Sequence, residues 1–507
     1  MLRENQAKQL SFHSILYHKI PKKHILKRIN EAIDLTFVNK ILSKSYCAHL
    51  GRPAREPEML LRMHVIKSLY KLSDEKLVDE VEVNLAFKWF VGLNPEEAVI
   101  HPSLMTKFRT MRLQGLVMDD IITELVRQCI ARGIIEAEDG VSIDSTHVQA
   151  NTVKKVPERI MKRLAQRIFK EAKVEGEAIP DYKEIEDHNE AKAVMKAFVE
   201  ETIEAYETAA PEATADAKAV LESDLFIEQK GVRSLQDRDA RVGSKSRTHQ
   251  FFGYKDEYVL TNSGLITAVN VAPGNYVDGR RFSELYERTK KSGLQVNGVQ
   301  ADKAYFQPDI LKGLKEEGIP AYIPVSASRY RMDEARYSYN KDSDQWYCYK
   351  GNETVGRRQV TRKVLGVPQK KLVYTFDEEK CQACPHRVEC MEGRKKAKVL
   401  EISINAPEYY EHSQWAKTEA FQEGYRKRAR IEPKNAELKR HMGLARAYGY
   451  SLRSCATQGK LTAFAADLKR IANLVYPQIP KTRKQAQIGQ RNRFKGVDFP
   501  MGCWIFP

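Results

Sequence analysis

The sequence has no run of eighteen apolar residues, which argues against a membrane-spanning helix. Its opening, MLRENQAKQLSFHSILYHKIPKKH, is mixed and polar, with no signal-peptide hydrophobic region, and no lipidation motif is present. A cytoplasmic protein without membrane contact is the expectation. Cysteine is scarce: eight in 507 residues is too few for a disulfide scaffold. Four of them (Cys47, Cys129, Cys455 and Cys503) stand singly and read as buried thiols. Acid is in deficit as well, with 67 Asp and Glu against 84 Lys and Arg, a formal charge of +17. Such an excess favours a polyanionic partner, because each phosphate neutralised by Lys or Arg releases condensed counterions.

What is present fits a folded chain. Hydrophobic residues make up 42% and charged residues 30%, and the length suggests two to four domains. Residues 12 to about 130 read as helical. Glu56–Leu72 and Ser73–Leu93 carry apolar side chains at three-and-four spacing, and Ser73 and Asp74 are placed to cap the second helix. Gly51-Arg52-Pro53 punctuates the entry to the first. At Asp139-Gly140 a turn leads into the alternating Val-Ser-Ile-Asp-Ser-Thr-His-Val, a strand bearing Asp144. From Glu171 to Lys230 there are 17 acids and 6 lysines, which reads as a solvated helical hairpin inserted into the next domain.

Strands return at Gln250–Leu260 and Gly264–Val271, joined by the hairpin signal Thr261-Asn262-Ser263-Gly264. A helix over Asp278–Lys291, a strand over Gly298–Ala301 running into Asp302, a helix over Pro308–Glu317 and a strand over Ala321–Val325 follow. Residues 326–400 form a turn-rich block with Tyr, Lys and Cys, and a long helical stretch occupies about 413–475. With the insertions removed, the order is an α/β one with an antiparallel start and parallel additions.

Within FQEGYRKRARIEPKNAELKRH, the spacings of Tyr425, Arg428, Glu432 and Lys439 place all four within roughly a 60° arc of a regular helix. A carboxylate among cations suits a site that holds both metal and phosphate. A solvated, salt-bridged helix face is the competing reading of this segment alone. Pro433 breaks the regularity: either the helix kinks there, or Pro433 lies in the first turn of a new helix with Glu432 at its start.

This pattern resembles the DDE insertion-sequence transposases of the Y-x2-R-x3-E-x6-K branch. IDSTHVQAN is similar to the family segment with the first catalytic Asp (Asp144), and QADKAYF to that with the second (Asp302). DRDARVGSKS, FFGYK and APGNYVDGRR resemble the run between them, from Asp237 through Lys255 to Asp278. GRPAREPEMLLR and LYKLSDEKLVDEVEVNLAFKWFVGL resemble the family's N-terminal helices, and HMGLARAYG with LTAFAADLKRIANLV its C-terminal part. The resemblance spans about residues 20 to 475.

It implies an RNase H-like catalytic core, preceded by an all-α domain over 1–135 for DNA binding or dimerisation. The core would occupy 136–325, with a helical insertion at about 155–230, and 401–475, with a Cys-bearing β insertion at 326–400. A basic tail over 476–507 would follow. It implies two Mg²⁺ (or Mn²⁺) ions on Asp144, Asp302 and Glu432, and endonuclease cleavage followed by strand transfer. Tyr425, Arg428 and Lys439 would grip the transposon end near the scissile phosphate, and the partner would be double-stranded DNA, both the terminal inverted repeats and the target. Pairing two ends implies a homodimer. A transposase-derived DNA-binding protein without catalytic activity is the alternative.

His147, three residues after Asp144, could be a ligand or a base, and a hydrogen-bonded structural role competes. Asp237, Asp239 and Asp278 read as salt-bridge or turn residues. Cys348, Cys381, Cys384 and Cys390 give C-x2-C-x5-C plus one distant thiol, a candidate zinc site in which His386 could replace one ligand. Reduced thiols in a small β module are the competing reading. The surrounding Arg357, Arg358, Arg362, Lys363, Lys370 and Lys371 offer a surface for DNA, with a merely solubilising basic surface as the competing reading.

Overall fold

The computed structural model describes residues 11–47, 54–113, 115–223, 226–227, 231–245, 248–364, 366–391 and 396–477. Residues 478–507 of the expected basic tail, Gly51-Arg52-Pro53 and Cys503 lie outside the described residues.

A mixed six-stranded sheet organises the chain. Its strands are β1 (Glu138–Gln149), β2 (Arg241–Ser244), β3 (Gln250–Thr261), β4 (Ile266–Pro273), β5 (Gln295–Ala301) and β6 (Ala321–Tyr322). β3 pairs antiparallel with β1 on one side and with β2 and β4 on the other, while β5 and then β6 add in parallel beyond β1. The antiparallel start and parallel additions read from the sequence are therefore present. The β3–β4 turn contains Gly264 at φ +96°, where a side chain would be strained. Helices Phe282–Lys291 and Pro308–Glu316 make the crossovers into β5 and β6, as parallel strands require. β2 was not anticipated: four residues with no alternating stretch give no strand signal.

Both sheet faces are covered. One packs on Phe282–Lys291, Pro308–Glu316 and Ala406–Ala416 through Val141, Ile143, Val299, Leu285, Leu314 and Tyr409. The other meets the Leu452–Val475 helix, and the N-terminal helices join that same core, so Leu61, Ile122, Tyr258, Val269, Phe464 and Leu468 belong to one cluster. Burying Phe464 and Leu468 fully contributes about 1.5–3 kcal/mol each.

The N-terminal reading needs one correction. Ser73 does cap its helix, accepting from Lys76 N at 3.1 Å, but that helix ends at Val83 and a second, Leu85–Phe90, restarts after Asn84. Asn84 accepts from the amides of Ala86 and Phe87, a side-chain cap that competes with continuing the first helix.

The acidic insertion is not a hairpin. It has three helices, Pro157–Ala172, His188–Tyr206 and Pro211–Leu221, around their own core of Met161, Leu164, Ile168, Met195 and Val199. The block at 326–400 also has a core. A Tyr337–Asn340/Gln345–Cys348 hairpin and a sheet of Thr354–Val364, Val367–Phe376 and Val399–Ser403 enclose Trp346, Leu372, Tyr374 and Phe376.

Candidate active site

β1 and β5 are neighbours, and Ile143 is in register with Ala301. Asp144 and Asp302 are the next residues on the two chains, so both carboxylates leave adjacent parallel strands at the same level, about 4.8 Å of strand spacing apart. Asp144 is 9% exposed. Asp302 begins a short 3₁₀ turn and caps it, accepting from Ala304 N at 2.8 Å.

The signature segment is one helical run with changing pitch. An α-helix over Glu419–Arg426 tightens to a 3₁₀ turn over Lys427–Arg430, returns to α over Ile431–Ala436, and loosens to a π turn over Glu437–His441. Pro433 lies in the first turn of the Ile431–Ala436 helix, where a missing N–H costs nothing. Of the two arrangements open in the sequence, the restarted helix with Glu432 at its beginning is the one observed. The 60° arc assumed uniform α geometry and is replaced by this sequence of turns.

The run meets β1 through several contacts. The Arg428 guanidinium lies 3.3 Å from Asp144 Oδ2, with both side chains largely buried, and its Nε is buried without a hydrogen-bond partner. Asn435 is held by Tyr258, whose hydroxyl donates to Asn435 Oδ1 at 2.8 Å, and its amide faces Asp144 Oδ2 at 3.5 Å. Lys439 Nζ is 3.2 Å from His147 Nδ1. Tyr425 stacks on Phe421, and Glu432 is exposed.

Burial sets the electrostatics. It raises the Asp144 pKa to about 6; Arg428 opposes, while Asp302 and Glu432 add to the rise. Burial lowers His147 to about 4, with Lys439 and Lys245 adding, so it is neutral at pH 7 and can accept from the lysine. Lys439 is itself lowered to about 8, chiefly by burial. His147 also packs at 5.1 Å on Phe251, which agrees with a hydrogen-bonded structural histidine.

The three carboxylates offer only oxygen donors, the chemistry a hard divalent cation takes. Their charges act on one another around Asp144. Among the described residues, however, no three His, Cys, Asp or Glu side chains are gathered closely enough to hold a metal ion, and Arg428 is the cation beside Asp144.

The same holds for the cysteines. Cys348, Cys381, Cys384 and Cys390 line one cavity with His386, but as free thiols rather than a closed ligand shell. Cys381 Sγ accepts from Asn352 Nδ2 at 3.1 Å and belongs to the block's apolar core. Of the remaining acids, Asp278 pairs with Lys255 at 2.9 Å, and Asp239 accepts from Leu452 N. Asp237 accepts from the Tyr254 hydroxyl and from Ser451 N. All three make structural contacts, as read.

A family model described as a transposase domain (DUF772) matches residues 14–111, and one described as a transposase DDE domain matches residues 216–468. The chain belongs to the DDE insertion-sequence transposases. The matched DDE stretch includes Asp302 and Glu432 and begins after Asp144. An uncharacterized protein, ORF8 in the nfe locus of Rhizobium meliloti, is 25% identical over 131 residues. That similarity covers 25% of this transposase and 63% of the relative's length. Among the described residues no helix is long and apolar enough to cross a membrane.

Sequence reasoning missed Tyr258, Asn435 and Gly424. The first two read as ordinary strand and helix residues. Gly424 in mid-helix was a signal, since glycine there costs about 1 kcal/mol relative to Ala and calls for a packing reason.

Proposed function

We propose that this transposase cuts DNA at the ends of an insertion sequence and joins them to a target, using an RNase H-like core. The observation that carries the proposal is the placement of Asp144 and Asp302 on neighbouring strands, with the charge of Glu432 reaching the same point. The strand order, antiparallel β1, β3 and β4 with the short β2 beside β3, followed by parallel β5 and β6, supports the core assignment.

Asp144, Asp302 and Glu432 would hold two divalent ions, Mg²⁺ or Mn²⁺. Bound there, such ions would supply charge neutralisation at the phosphate and a water of lowered pKa. The protein's own residues bind and orient. Arg428 presents a planar guanidinium able to grip two phosphate oxygens, and Lys439 presents a point charge. Neutral His147 accepts a hydrogen bond from Lys439 and so orients the ammonium. Tyr425, half-exposed beside Phe421, can stack on a base at the DNA end. The N-terminal helices would serve DNA binding or dimerisation, and a homodimer would pair the two ends.

The test is strand cleavage of a duplex carrying the element's own terminal repeat, in Mg²⁺. Asp144→Asn, Asp302→Asn and Glu432→Gln should each abolish cleavage and leave duplex binding in chelator within about threefold of wild type, because a metal ligand is lost rather than a phosphate contact. Near-normal cleavage by any one variant removes that residue from the set.

A further inference from the structure

A second cationic site lies beyond the far end of β1. Residues Asn151, Thr152, Lys155, Arg163, Gln236 and Arg446 line a polar cavity of about 300 Å³, where the helical insertion meets the sheet. Its three cations come from separate parts of the chain. Lys155 follows β1, Arg163 projects from the Pro157–Ala172 helix, and Arg446 belongs to the loop before Leu452–Val475. The backbone fixes Arg446: Gln149 N donates to Ala445 O at 3.0 Å and Ala447 N donates to Gln149 O at 2.8 Å. Lys155 N donates to Arg233 O at 2.9 Å. Among the described residues, none of the three cations forms an ion pair, whereas the nearby Arg167 and Arg238 both pair with Asp216.

Three cations brought together without a carboxylate repel one another, and an anion relieves that repulsion. We infer that this cavity is a phosphate clamp for the DNA backbone, separate from the catalytic carboxylates and engaged on the same duplex. The inference rests on the proposed function for the identity of the polyanion. Asp144 and Asn151 are seven residues apart on a nearly extended chain, which puts the clamp roughly 20 Å from the cutting site. Along a duplex strand that is about six phosphates at 3.4 Å each. The clamp would therefore grip backbone about half a helical turn from the scissile bond and read no sequence.

The test uses the full chain and a random-sequence 40-base-pair duplex, with chelator present to prevent cleavage. Binding is followed by anisotropy between 50 and 200 mM salt. Lys155→Gln, Arg163→Gln, Arg446→Gln together should lower the salt slope by about 2.7, at about 0.9 per phosphate. Over that fourfold salt range, the variant should lose about 40-fold less affinity than wild type. The double variant Lys155→Gln, Arg163→Gln leaves the Arg446 loop intact and should lose about 1.8. A control, Lys192→Gln, Lys196→Gln, Lys218→Gln, removes the same charge from the other two insertion helices and should keep the wild-type slope. Unchanged slopes in both clamp variants overturn the clamp, and so does an equal loss in the control. Both results leave cleavage by wild-type protein, and hence the proposed function, standing. A wild-type protein that binds no duplex overturns both.

Discussion

Gly424→Ala isolates the geometry of the signature helix from its chemistry. Gly424 is buried, and a Cβ built on it overlaps the ring of Tyr322 on β6 at Cε1, Cδ1 and Cζ. On its other side the ring lies over Gly298 of β5, where a Cβ would be 3.0 Å from Cε2, so its room to retreat toward the sheet is small. Trp415 and Phe421, each with its ring centre about 6 Å away, close the flanks. The helix has to move, by on the order of 1 Å, to restore ordinary contact. Overpacking costs about 1–3 kcal/mol, offset by about 1 kcal/mol of helix propensity. Stability should therefore fall by no more than about 2 kcal/mol, and the protein should stay folded. Tyr425 and Arg428 follow Gly424 directly and Glu432 lies eight residues on, so they shift relative to Asp144. A misplacement of about 1 Å costs roughly 10²-fold in rate. Single-turnover cleavage in Mg²⁺ should fall by about that factor while thermal unfolding moves by a few degrees. Adding Tyr322→Leu should restore much of the rate. Cleavage by Gly424→Ala within about threefold of wild type would refute the idea that this contact sets the site.

Burial raises Asp256 and Asp467 from 3.8 to about 8. The folded state then binds more protons than the unfolded state between those values, so stability present below about pH 4 is lost as pH rises toward 8. Urea midpoints should fall from pH 5 to pH 8, and Asp256→Asn should flatten the trend; an unchanged slope would show that the carboxyl is already ionised and paired. Lys439→Ala and Arg428→Ala should each reduce the salt dependence of end binding by about one counterion, measured by anisotropy, and no change in both would favour a merely solvated helix face. Cys384→Ser should leave residues 326–391 resistant to limited proteolysis, since Trp346, Leu372, Tyr374 and Phe376 form a core there. Rapid cleavage of this block would show that a metal on the four thiols holds it together.

The sequence made the carboxylate positions legible because strand periodicity and motif order both point to Asp144 and Asp302. The Thr261–Gly264 turn was legible through its glycine, and the Ser73 cap through local chemistry. What stayed hidden depends on packing between distant segments. Nothing near Gly424 announces Tyr322, about a hundred residues earlier. The insertion showed its charge but not its third helix, because alanine-rich segments signal helix without saying where the chain turns. The cysteine spacing suggested a ligand set, yet Cys381 is half of an Asn352 contact and part of an apolar core. Spacing along the chain does not fix the direction of thiols.

The change of pitch along residues 419–441 has a structural logic that links these features. A regular helix with Pro433 inside it would bring the proline ring against the carbonyl four residues back. The 3₁₀ turn over Lys427–Arg430 ends one helix and lets Pro433 enter the first turn of the next, which places Glu432 at a helix start. Three contacts then tie that start to the sheet: Gly424 on Tyr322, Arg428 on Asp144, and Asn435 between Tyr258 and Asp144. Tyr258 is the residue directly opposite Asp144 in the β1–β3 ladder, so the side chain that orients Asn435 is fixed by the same register that fixes the carboxylate. Glu432 makes none of these contacts and is left exposed between anchored neighbours. The π turn beyond it moves Lys439 to His147, on the same strand as Asp144. The proline that looked like a defect in the signature thus sits where one helical run brings Arg428 and Lys439 to a single strand and leaves Glu432 exposed between them.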